Sequence, residues 1–270
     1  MALMQVDFFS RTLGVCCQAN VILPQREQGI GMDGSGGTGS YPVLWLLHGA
    51  SDDHTIWLRR TSIERYVSSL GLAVVMPAAH LSSYSNMAHG LRYFDFFTDE
   101  LPEIMSDFFP LSRKREDNFV AGLSMGGYGA MKLGLSRPDR YAAIGCFSAG
   151  NFIYRPLSNQ ARPARLSGKA SRNLAVFGVE DMQALKGNPE FDHFAMAEKA
   201  MAENQPLPRI FHACGTEDFL IDNARLTADW FKAHPQFDYT YQEGPGIHSW
   251  DFWDEWIQHF LRWLFPKTGE

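Results

Sequence analysis

Short runs of consecutive apolar residues, separated by stretches in which apolar positions recur at helical spacing, are the dominant pattern of this chain. Six such runs predict strands that are buried on both faces: residues 43–47, 73–76, 118–121, 142–147, 210–213 and 239–242. Segments 6–9 and 15–23 predict an antiparallel pair before them. Helical spacing predicts helices at residues 62–69, 94–108, 128–136 and 222–233. The alternation indicates an α/β fold, with a mostly parallel sheet of about eight strands covered by helices on both faces.

One strand leads into a Gly-x-Ser-x-Gly motif, Gly122-Leu123-Ser124-Met125-Gly126, and a helix follows it. This arrangement is typical of a nucleophile elbow, in which strand and helix approach so closely that the two flanking glycines must lack side chains. The turn exposes the hydroxyl of Ser124. It also points the unpaired N–H groups of the helix N-terminus at any oxyanion formed there. The motif therefore predicts Ser124 as a catalytic nucleophile.

A serine hydroxyl needs a neighbouring base, and the chain order in this kind of fold is serine, acid, histidine. Of the nine histidines, His248 is best placed, because it follows the strand at 239–242 and precedes a helix. His48 comes earlier than the serine and is expected to be a structural residue beside the oxyanion loop. His234 and His259 are expected at the surface. The sequence therefore predicts His248 as the general base.

The acid should come from the loop that follows the strand at 210–213. Glu217 and Asp218 are adjacent there, so one of them must point away from the site. Asp218 is favoured, because the turn at Gly215 and the apolar pair after it would direct its carboxylate inward. The alternative role for Asp218 is to cap the helix that starts near Leu220, which is a common function of aspartate.

The first central strand ends in a His-Gly pair that could provide an oxyanion hole. Gly49 lets the backbone turn so that the N–H of Ala50 can face the serine. Together with the N–H of Met125, it would form a two-donor oxyanion hole. Trp57 and Tyr128 are the candidate substrate contacts, although the sequence leaves open whether they line a pocket or belong to the core.

Residues 151–208 form the one long stretch that does not alternate cleanly. The stretch starts polar and basic and then contains a predicted helix at residues 190–204. Its basic residues are Arg155, Arg162, Arg165, Lys169 and Arg172. Because it lies between two strands at their carboxyl ends, we expect an insertion, within a single domain spanning 1–270, that covers the active site. An ordinary crossover connection is the alternative.

Residues 29–40 are rich in glycine and contain Gly-x-Gly-x-x-Gly twice. A dinucleotide site needs this motif between a strand and a helix, whereas here it runs directly into the strand at 43–47. We therefore expect a flexible connection and no nucleotide cofactor.

Composition excludes several other classes of function. The net charge of the 270 residues is −6 and no long basic run occurs, which argues against nucleic acid as a partner. No apolar run is long enough to span a bilayer, and the N-terminus does not resemble a secretory signal, so a cytoplasmic location is expected. The four cysteines lack paired metal-binding spacing, and we expect neither a metal nor a cofactor.

Taken together, these motifs resemble the esterase D superfamily of α/β-hydrolases and, within it, the bacterial tributyrin esterases. The segments that carry the resemblance are 47–49, 57–61, 100–102, 122–129, 215–220 and 246–250. The resemblance spans nearly the whole chain. It implies an α/β-hydrolase fold and a serine carboxylesterase that acts on small, short-chain acyl esters. It also implies a triad of Ser124, Asp218 and His248, with the amides of Ala50 and Met125 as oxyanion donors.

Three alternatives to the carboxylesterase remain at this stage. The related S-formylglutathione hydrolases carry a cysteine just after the oxyanion glycine, where this chain reads Ala50-Ser51-Asp52-Asp53-His54. This departure makes a thioesterase the weaker interpretation. An esterase that removes feruloyl or acetyl groups from decorated sugars is the second alternative. A hydrolase-fold binding module is the third, disfavoured because all triad residues are present. A homo-oligomer is left open.

Overall fold

A computed structural model of the chain describes residues 1–26, 39–154 and 169–266. Its strands are β1 (Ala2–Ser10), β2 (Val15–Leu23), β3 (Val43–Leu47), β4 (Ala73–Pro77), β5 (Asn118–Leu123), β6 (Ala143–Phe147), β7 (Arg209–Gly215) and β8 (Tyr239–Gly244). These eight strands form one sheet in the order β1-β2-β4-β3-β5-β6-β7-β8. The predicted α/β architecture is confirmed, and β1 is longer than the segment 6–9 that the sequence pattern indicated.

The direction of the strands brings their carboxyl ends together. β1 and β2 form an antiparallel hairpin, and β2 is also antiparallel to β4. All other neighbours in the sheet are parallel, from β4 through β3, β5, β6 and β7 to β8. Loops that follow β3, β5, β7 and β8 therefore emerge at the same edge, which is where ligands bind in sheets of this kind.

Helices cover both faces of this sheet. They are α1 (Ile56–Arg60), α2 (Ile63–Val67), α3 (Tyr93–Asp95), α4 (Leu101–Phe108), α5 (Met125–Ser136), α6 (Lys169–Phe177), α7 (His193–Ala202), α8 (Ile221–Lys232) and α9 (Trp250–Leu264). Successive side chains of a strand point to opposite faces. Accordingly Trp45 packs with one apolar layer, which includes α5, whereas Leu46 packs with the other, which includes α9.

The helix predicted at 94–108 contains an irregularity. A π-helical turn, Phe96–Glu100, separates α3 from α4. Pro102 lies in the first turn of α4, where it has no N–H to donate to the preceding turn, and a wider turn just before it accommodates this loss. The pattern of apolar positions gave the extent of the helical segment but not this change in its geometry.

The π turn attaches this helical segment to the first hairpin through Glu100. The carboxylate accepts hydrogen bonds from Ser10 Oγ at 2.5 Å and from the backbone N–H groups of Arg11 and Thr12 at 2.7 and 3.0 Å. Burial alone would raise the pKa of Glu100, but these hydrogen bonds outweigh it and hold the pKa below its ordinary value.

Of the stretch from 151 to 208, the structure describes residues 151–154 and 169–208. The helix predicted at 190–204 appears as the shorter α7, and α6 is an additional helix that the sequence pattern did not indicate. Arg155, Arg162 and Arg165 lie outside the described residues. The glycine-rich motifs within 29–40 also lie there, apart from Gly39 and Ser40.

No helix among the described residues is long and apolar enough to cross a membrane. All four cysteines are free thiols; Cys16 is exposed and the other three are buried. Within the described parts of the chain, no group of histidine, cysteine or acidic side chains is arranged to hold a metal ion.

Candidate active site

Ser124 occupies the sharp turn between β5 and α5. Its backbone has φ 52° and ψ −116°, a conformation that a residue with a side chain rarely adopts and that functional sites often contain. The Ser124 N–H donates to the Phe147 carbonyl of β6 at 2.8 Å, and its own carbonyl accepts from the Tyr128 N–H at 3.0 Å. These bonds hold the strained turn in place. The side chain of Ser124 is therefore fixed at the carboxyl edge of the sheet.

Both glycines of the motif are required by close backbone contacts. A side chain at Gly122 would place its first carbon 2.5 Å from the Gly126 backbone, and one at Gly126 would place it 2.5 Å from the Leu47 carbonyl oxygen. Real contacts of such a carbon are much longer, so neither position tolerates alanine without a shift of the backbone. The physical reason given for the Gly-x-Ser-x-Gly spacing thus applies to this chain.

His248 and Asp218 complete a hydrogen-bonded chain that starts at the serine. His248 Nε2 lies 3.0 Å from Ser124 Oγ, and its Nδ1 lies 2.9 Å from Asp218 Oδ2 and 3.1 Å from Oδ1. A carboxylate only accepts hydrogen bonds, so Nδ1 carries the proton that points to Asp218, and Nε2 is left to accept the serine proton. This is the arrangement by which a histidine can act as general base for a serine nucleophile.

Asp218 and its neighbour Glu217 point in different directions, as their adjacency required. The Asp218 carboxylate is buried, with 1% of the residue exposed, and its Oδ1 also accepts the Leu220 N–H at 2.8 Å. Asp218 is not the N-cap of α8, however: that position belongs to Leu220, and no side chain caps the first turn of the helix. Glu217 is directed toward solvent and accepts the Gly246 N–H at 2.6 Å, which lowers its pKa.

The loops that carry the acid and the base are joined by their backbones. The N–H of Glu217 donates to the Gly246 carbonyl at 3.1 Å, in addition to the bond that its carboxylate accepts. Gly246 has φ 143°, and a side chain at Gly215 would place its first carbon 2.1 Å from the Gly246 oxygen. These two glycines allow the close approach that sets the spacing between Asp218 and His248. No pattern in the sequence indicated this role of Glu217.

Aromatic rings restrict the position of the His248 imidazole. Its centroid lies 4.5 Å from the ring of Phe219 and 4.9 Å from the ring of Trp253, which meets it edge to face. Trp253 is in turn fixed by a 2.9 Å hydrogen bond from its Nε1 to Ser148 Oγ. The imidazole of His248 is therefore held by packing from α9 as well as by Asp218.

The predicted oxyanion loop lies against the elbow. A side chain at Gly49 would place its first carbon 3.8 Å from the Cβ atom of Ser124 and 2.7 Å from Leu123 Cδ1. The loop that precedes Ala50 therefore lies in contact with the turn from which the serine projects. Met125, the second predicted donor, is the first residue of α5, so its N–H belongs to the free N-terminus of that helix.

His48 is buried beside this loop, as expected from the sequence. Its Nε2 accepts the Ala79 N–H at 2.9 Å, and its Nδ1 lies 2.8 Å from the Gly49 carbonyl oxygen. Burial lowers the pKa of His48 to about 4, so the ring is neutral near pH 7. Its carbonyl accepts the hydroxyl of Tyr84 at 2.9 Å.

Trp57 and Tyr128, the predicted substrate contacts, both lie in the interior with 1% of each residue exposed. Trp57 Nε1 donates to the Leu47 carbonyl at 3.1 Å, and the Tyr128 hydroxyl donates to the Phe191 carbonyl at 2.9 Å. Their polar atoms are thus engaged by the backbone. A substrate contact for either residue stays a prediction that this burial does not support.

Arg172, which the sequence indicated only as part of a basic stretch, lies beside the candidate site. Arg172 lies on α6, and its Nη2 is 3.1 Å from Met125 Sδ and 3.2 Å from Ser83 Oγ. The guanidinium therefore contacts the side chain of Met125, the residue that directly follows the serine. Its distance from Ser124 along the chain explains why local sequence patterns did not indicate this proximity.

The chain is similar to known esterases over almost its whole length. Residues 10–264 match a family described as "Putative esterase". An acetyl esterase of Caldicellulosiruptor saccharolyticus is 31% identical over 267 residues, covering 98% of both chains.

Two solved structures from Staphylococcus aureus are also similar over almost the whole chain. The S-formylglutathione hydrolase FrmB has a TM-score of 0.80 at 33% identity, and the match covers 97% of this chain and 98% of that one. The fluorophosphonate-binding serine hydrolase FphF has a TM-score of 0.76 at 33% identity, with the same coverage.

Proposed function

Because this chain belongs to the esterase family and is a serine ester hydrolase of the α/β-hydrolase fold, we propose that it hydrolyses short-chain acyl esters with Ser124 as its nucleophile. The observation that supports this assignment most strongly is the unbroken hydrogen-bonded chain from Ser124 Oγ through His248 to the buried Asp218. An acetyl esterase that is 31% identical over 98% of both chains supports a small acyl group.

In the proposed first half-reaction, Ser124 Oγ attacks the ester carbonyl carbon and His248 Nε2 takes the serine proton. Asp218 holds the imidazole in the required tautomer and stabilises the imidazolium that forms. The negative charge on the carbonyl oxygen is stabilised by the N–H groups of Ala50 and Met125. Collapse of this intermediate expels the alcohol, which leaves with the proton from His248, and the acyl group stays on Ser124.

In the second half-reaction, His248 removes a proton from water, which attacks the acyl carbon. The same two N–H groups stabilise the second tetrahedral intermediate, and the bond to Ser124 Oγ then breaks. The carboxylic acid is released and the serine recovers its proton. No cofactor takes part in these proposed steps.

We further propose that the insertion covers part of the entrance to the site. The contact of Arg172 with Met125 supports this, since it brings α6 over the residue that follows the nucleophile. A covering segment of this kind would restrict the size of the ester that reaches the serine.

A second candidate substrate is a thioester of the S-formylglutathione type. It is favoured by the 33% identity to FrmB over 97% of this chain. The sequence Ala50-Ser51-Asp52, which lacks the cysteine expected after the oxyanion glycine, weighs against it.

The experiment that tests the proposal compares p-nitrophenyl esters from acetate to octanoate with S-formylglutathione. We expect the highest kcat/KM on acetate or butyrate, and a loss of at least about 10³-fold in Ser124→Ala on every substrate. Ser136→Ala, at the other end of α5, is the matched control and should retain wild-type rates. Equal activity of Ser124→Ala and wild type would contradict the assigned nucleophile, and a faster rate on S-formylglutathione would favour the thioesterase.

A further inference from the structure

The structure holds the predicted oxyanion loop by its carbonyl groups. Two consecutive peptide bonds are involved: the one between His48 and Gly49, and the one between Gly49 and Ala50. The first has its carbonyl oxygen bonded to the Tyr84 hydroxyl at 2.9 Å, and the second has its carbonyl oxygen 2.8 Å from His48 Nδ1. Both contacts are buried, since His48 and Tyr84 are 1% and 0% exposed.

The proton on His48 can be placed from its two contacts. The Ala79 N–H donates to Nε2 at 2.9 Å, so Nε2 is an acceptor and carries no proton. The neutral ring therefore has its single proton on Nδ1, where it faces the Gly49 oxygen. His48 thus donates to Gly49, and the tautomer that allows this is fixed by the backbone of the segment after β4.

This bond restricts where the Ala50 N–H points, together with a longer bond of 3.3 Å that the Asp52 N–H donates to the same Gly49 oxygen. A trans peptide is planar, so the N–H of Ala50 is directed opposite to the C=O of Gly49. A donor that fixes the Gly49 oxygen therefore also fixes the Ala50 N–H. Because hydrogen bonds polarise one another along a chain, the same bond makes the Ala50 N–H a stronger donor.

The geometry points to His48 as a positioning residue for the reaction, acting through the Gly49 carbonyl to aim and polarise the Ala50 N–H toward the transition-state oxyanion. This inference rests on the proposed function, in which Ala50 supplies one oxyanion donor. His48 itself touches neither substrate nor nucleophile, and its contribution appears only when negative charge develops on the reacting oxygen.

Two substitutions separate the two hydrogen bonds of the imidazole. In His48→Asn, the amide nitrogen can occupy the position of Nδ1 and donate to Gly49, but nothing replaces Nε2. In His48→Gln, the terminal oxygen can occupy the position of Nε2 and accept from Ala79, but the donor to Gly49 is lost. If His48 has only a structural role, each variant should lose catalytic rate in proportion to its loss of thermal stability. If His48 has the proposed role, the rate should fall only in the variant that lacks the hydrogen bond to Gly49.

The experiment measures kcat and KM on p-nitrophenyl acetate, and the second-order rate of phosphonylation by a fluorophosphonate, for wild type and both variants. Loss of an oxyanion-hole donor costs about 10²–10³ in kcat, so a misdirected donor in His48→Gln should lower kcat about 10- to 100-fold with KM changed less than about threefold. Phosphonylation should slow to a similar degree, because charge develops on the phosphoryl oxygen in the same oxyanion hole.

His48→Asn should stay within about threefold of wild type on both measures. His212→Asn, at another buried histidine, is the control and should also retain its rates.

Equal rates for His48→Gln and wild type would overturn the inference, as would a loss in both variants that parallels their melting temperatures. The fluorophosphonate separates this outcome from failure of the proposed function. If wild type reacts with the probe but hydrolyses none of the esters, the substrate assignment fails while the comparison of variants still holds. A wild type that is inert to the probe would overturn both.

Discussion

Lys132 is a fully buried lysine on the helix that follows Ser124. It lies on α5, two turns after Ser124, and it is 0% exposed. Its ammonium donates to Ser85 Oγ at 2.7 Å and lies 5.1 and 4.7 Å from the ring centroids of Phe94 and Phe191. Burial lowers its pKa to about 7, partly opposed by the charge of Glu190. An amine in this environment forgoes much of its hydration.

We expect Lys132→Met to be more stable than wild type by about 1–3 kcal/mol at pH 6–7, because methionine fills a similar space without a charge to desolvate. The folded pKa of Lys132 is depressed below the unfolded value. Wild type therefore gains stability as pH rises above about 7. The advantage of the variant should shrink between pH 7 and pH 9. Urea unfolding at both pH values measures this, and an advantage independent of pH would contradict it.

Glu217 and Trp57 show at the residue scale what sequence can and cannot indicate. The need for a base and an acid in a fixed chain order was enough to select His248 and Asp218, and the structure places both in one hydrogen-bonded chain with Ser124. In contrast, Glu217 bonds to Gly246 through a contact between two loops, and Trp57 bonds to the Leu47 carbonyl. Such partners are backbone atoms with no sequence signature, so only the folded chain shows them.

At the scale of single elements, α6 is the helix whose position matters most for the site. The backbone N–H groups of Ala88 and His89 donate to the carbonyls of Val176 and Ala175 at 3.0 and 2.8 Å, which attaches the end of α6 to the segment after β4. Arg172, one turn earlier, contacts Met125. Sequence periodicity did not indicate α6, because contacts distant in sequence hold it.

We expect Arg172→Ala to raise KM for p-nitrophenyl butyrate about 3- to 10-fold while changing kcat less than about threefold, because it loosens a segment that we propose to cover the entrance to the site and that does not touch the reacting atoms. Asn173→Ala is a suitable control: its side chain, next on the same helix, bonds to the Glu180 carbonyl instead. Steady-state kinetics of both variants provide the measurement. An unchanged KM in Arg172→Ala would argue against the proposed covering role.

At the scale of the whole molecule, the folded state is more stable at neutral than at acidic pH because of three buried histidines. They lie in different parts of the sheet and of the insertion. Burial lowers the pKa values of His48 and His212 to about 4, and that of His193 to about 3. An unfolded chain would bind protons at these positions near pH 6.5. The fold is therefore stabilised above that pH, and the contribution is lost as pH falls toward the folded values.

We expect the free energy of unfolding to decrease steeply between pH 7 and pH 5, by up to about 2 kcal/mol for each of these histidines. Urea titrations at pH 7, 6 and 5 check the slope. The double variant His193→Gln/His212→Gln, which leaves the oxyanion loop untouched, should show a shallower decrease. A slope that is the same in wild type and in the double variant would contradict this explanation.

The alternation of apolar and helical segments was sufficient to predict the sheet, because strands buried on both faces must be apolar throughout. The order of the strands was not predicted, since β3 lies between β4 and β5 rather than beside its sequence neighbour β2. That order depends on contacts between distant segments, which a single sequence does not reveal.

The separation of 124 residues between Ser124 and His248 has a consequence for biosynthesis. The elbow, the oxyanion loop and the strand β6 that supports them are all translated long before β8. A nascent chain that ends before β8 contains Ser124 but lacks His248, the only side chain that the structure places at hydrogen-bonding distance to its Oγ among the described residues. With the proposed roles of Ser124 and His248, we expect the serine to become reactive only after β8 has joined the sheet, so that labelling by a fluorophosphonate would report completion of the chain's folding.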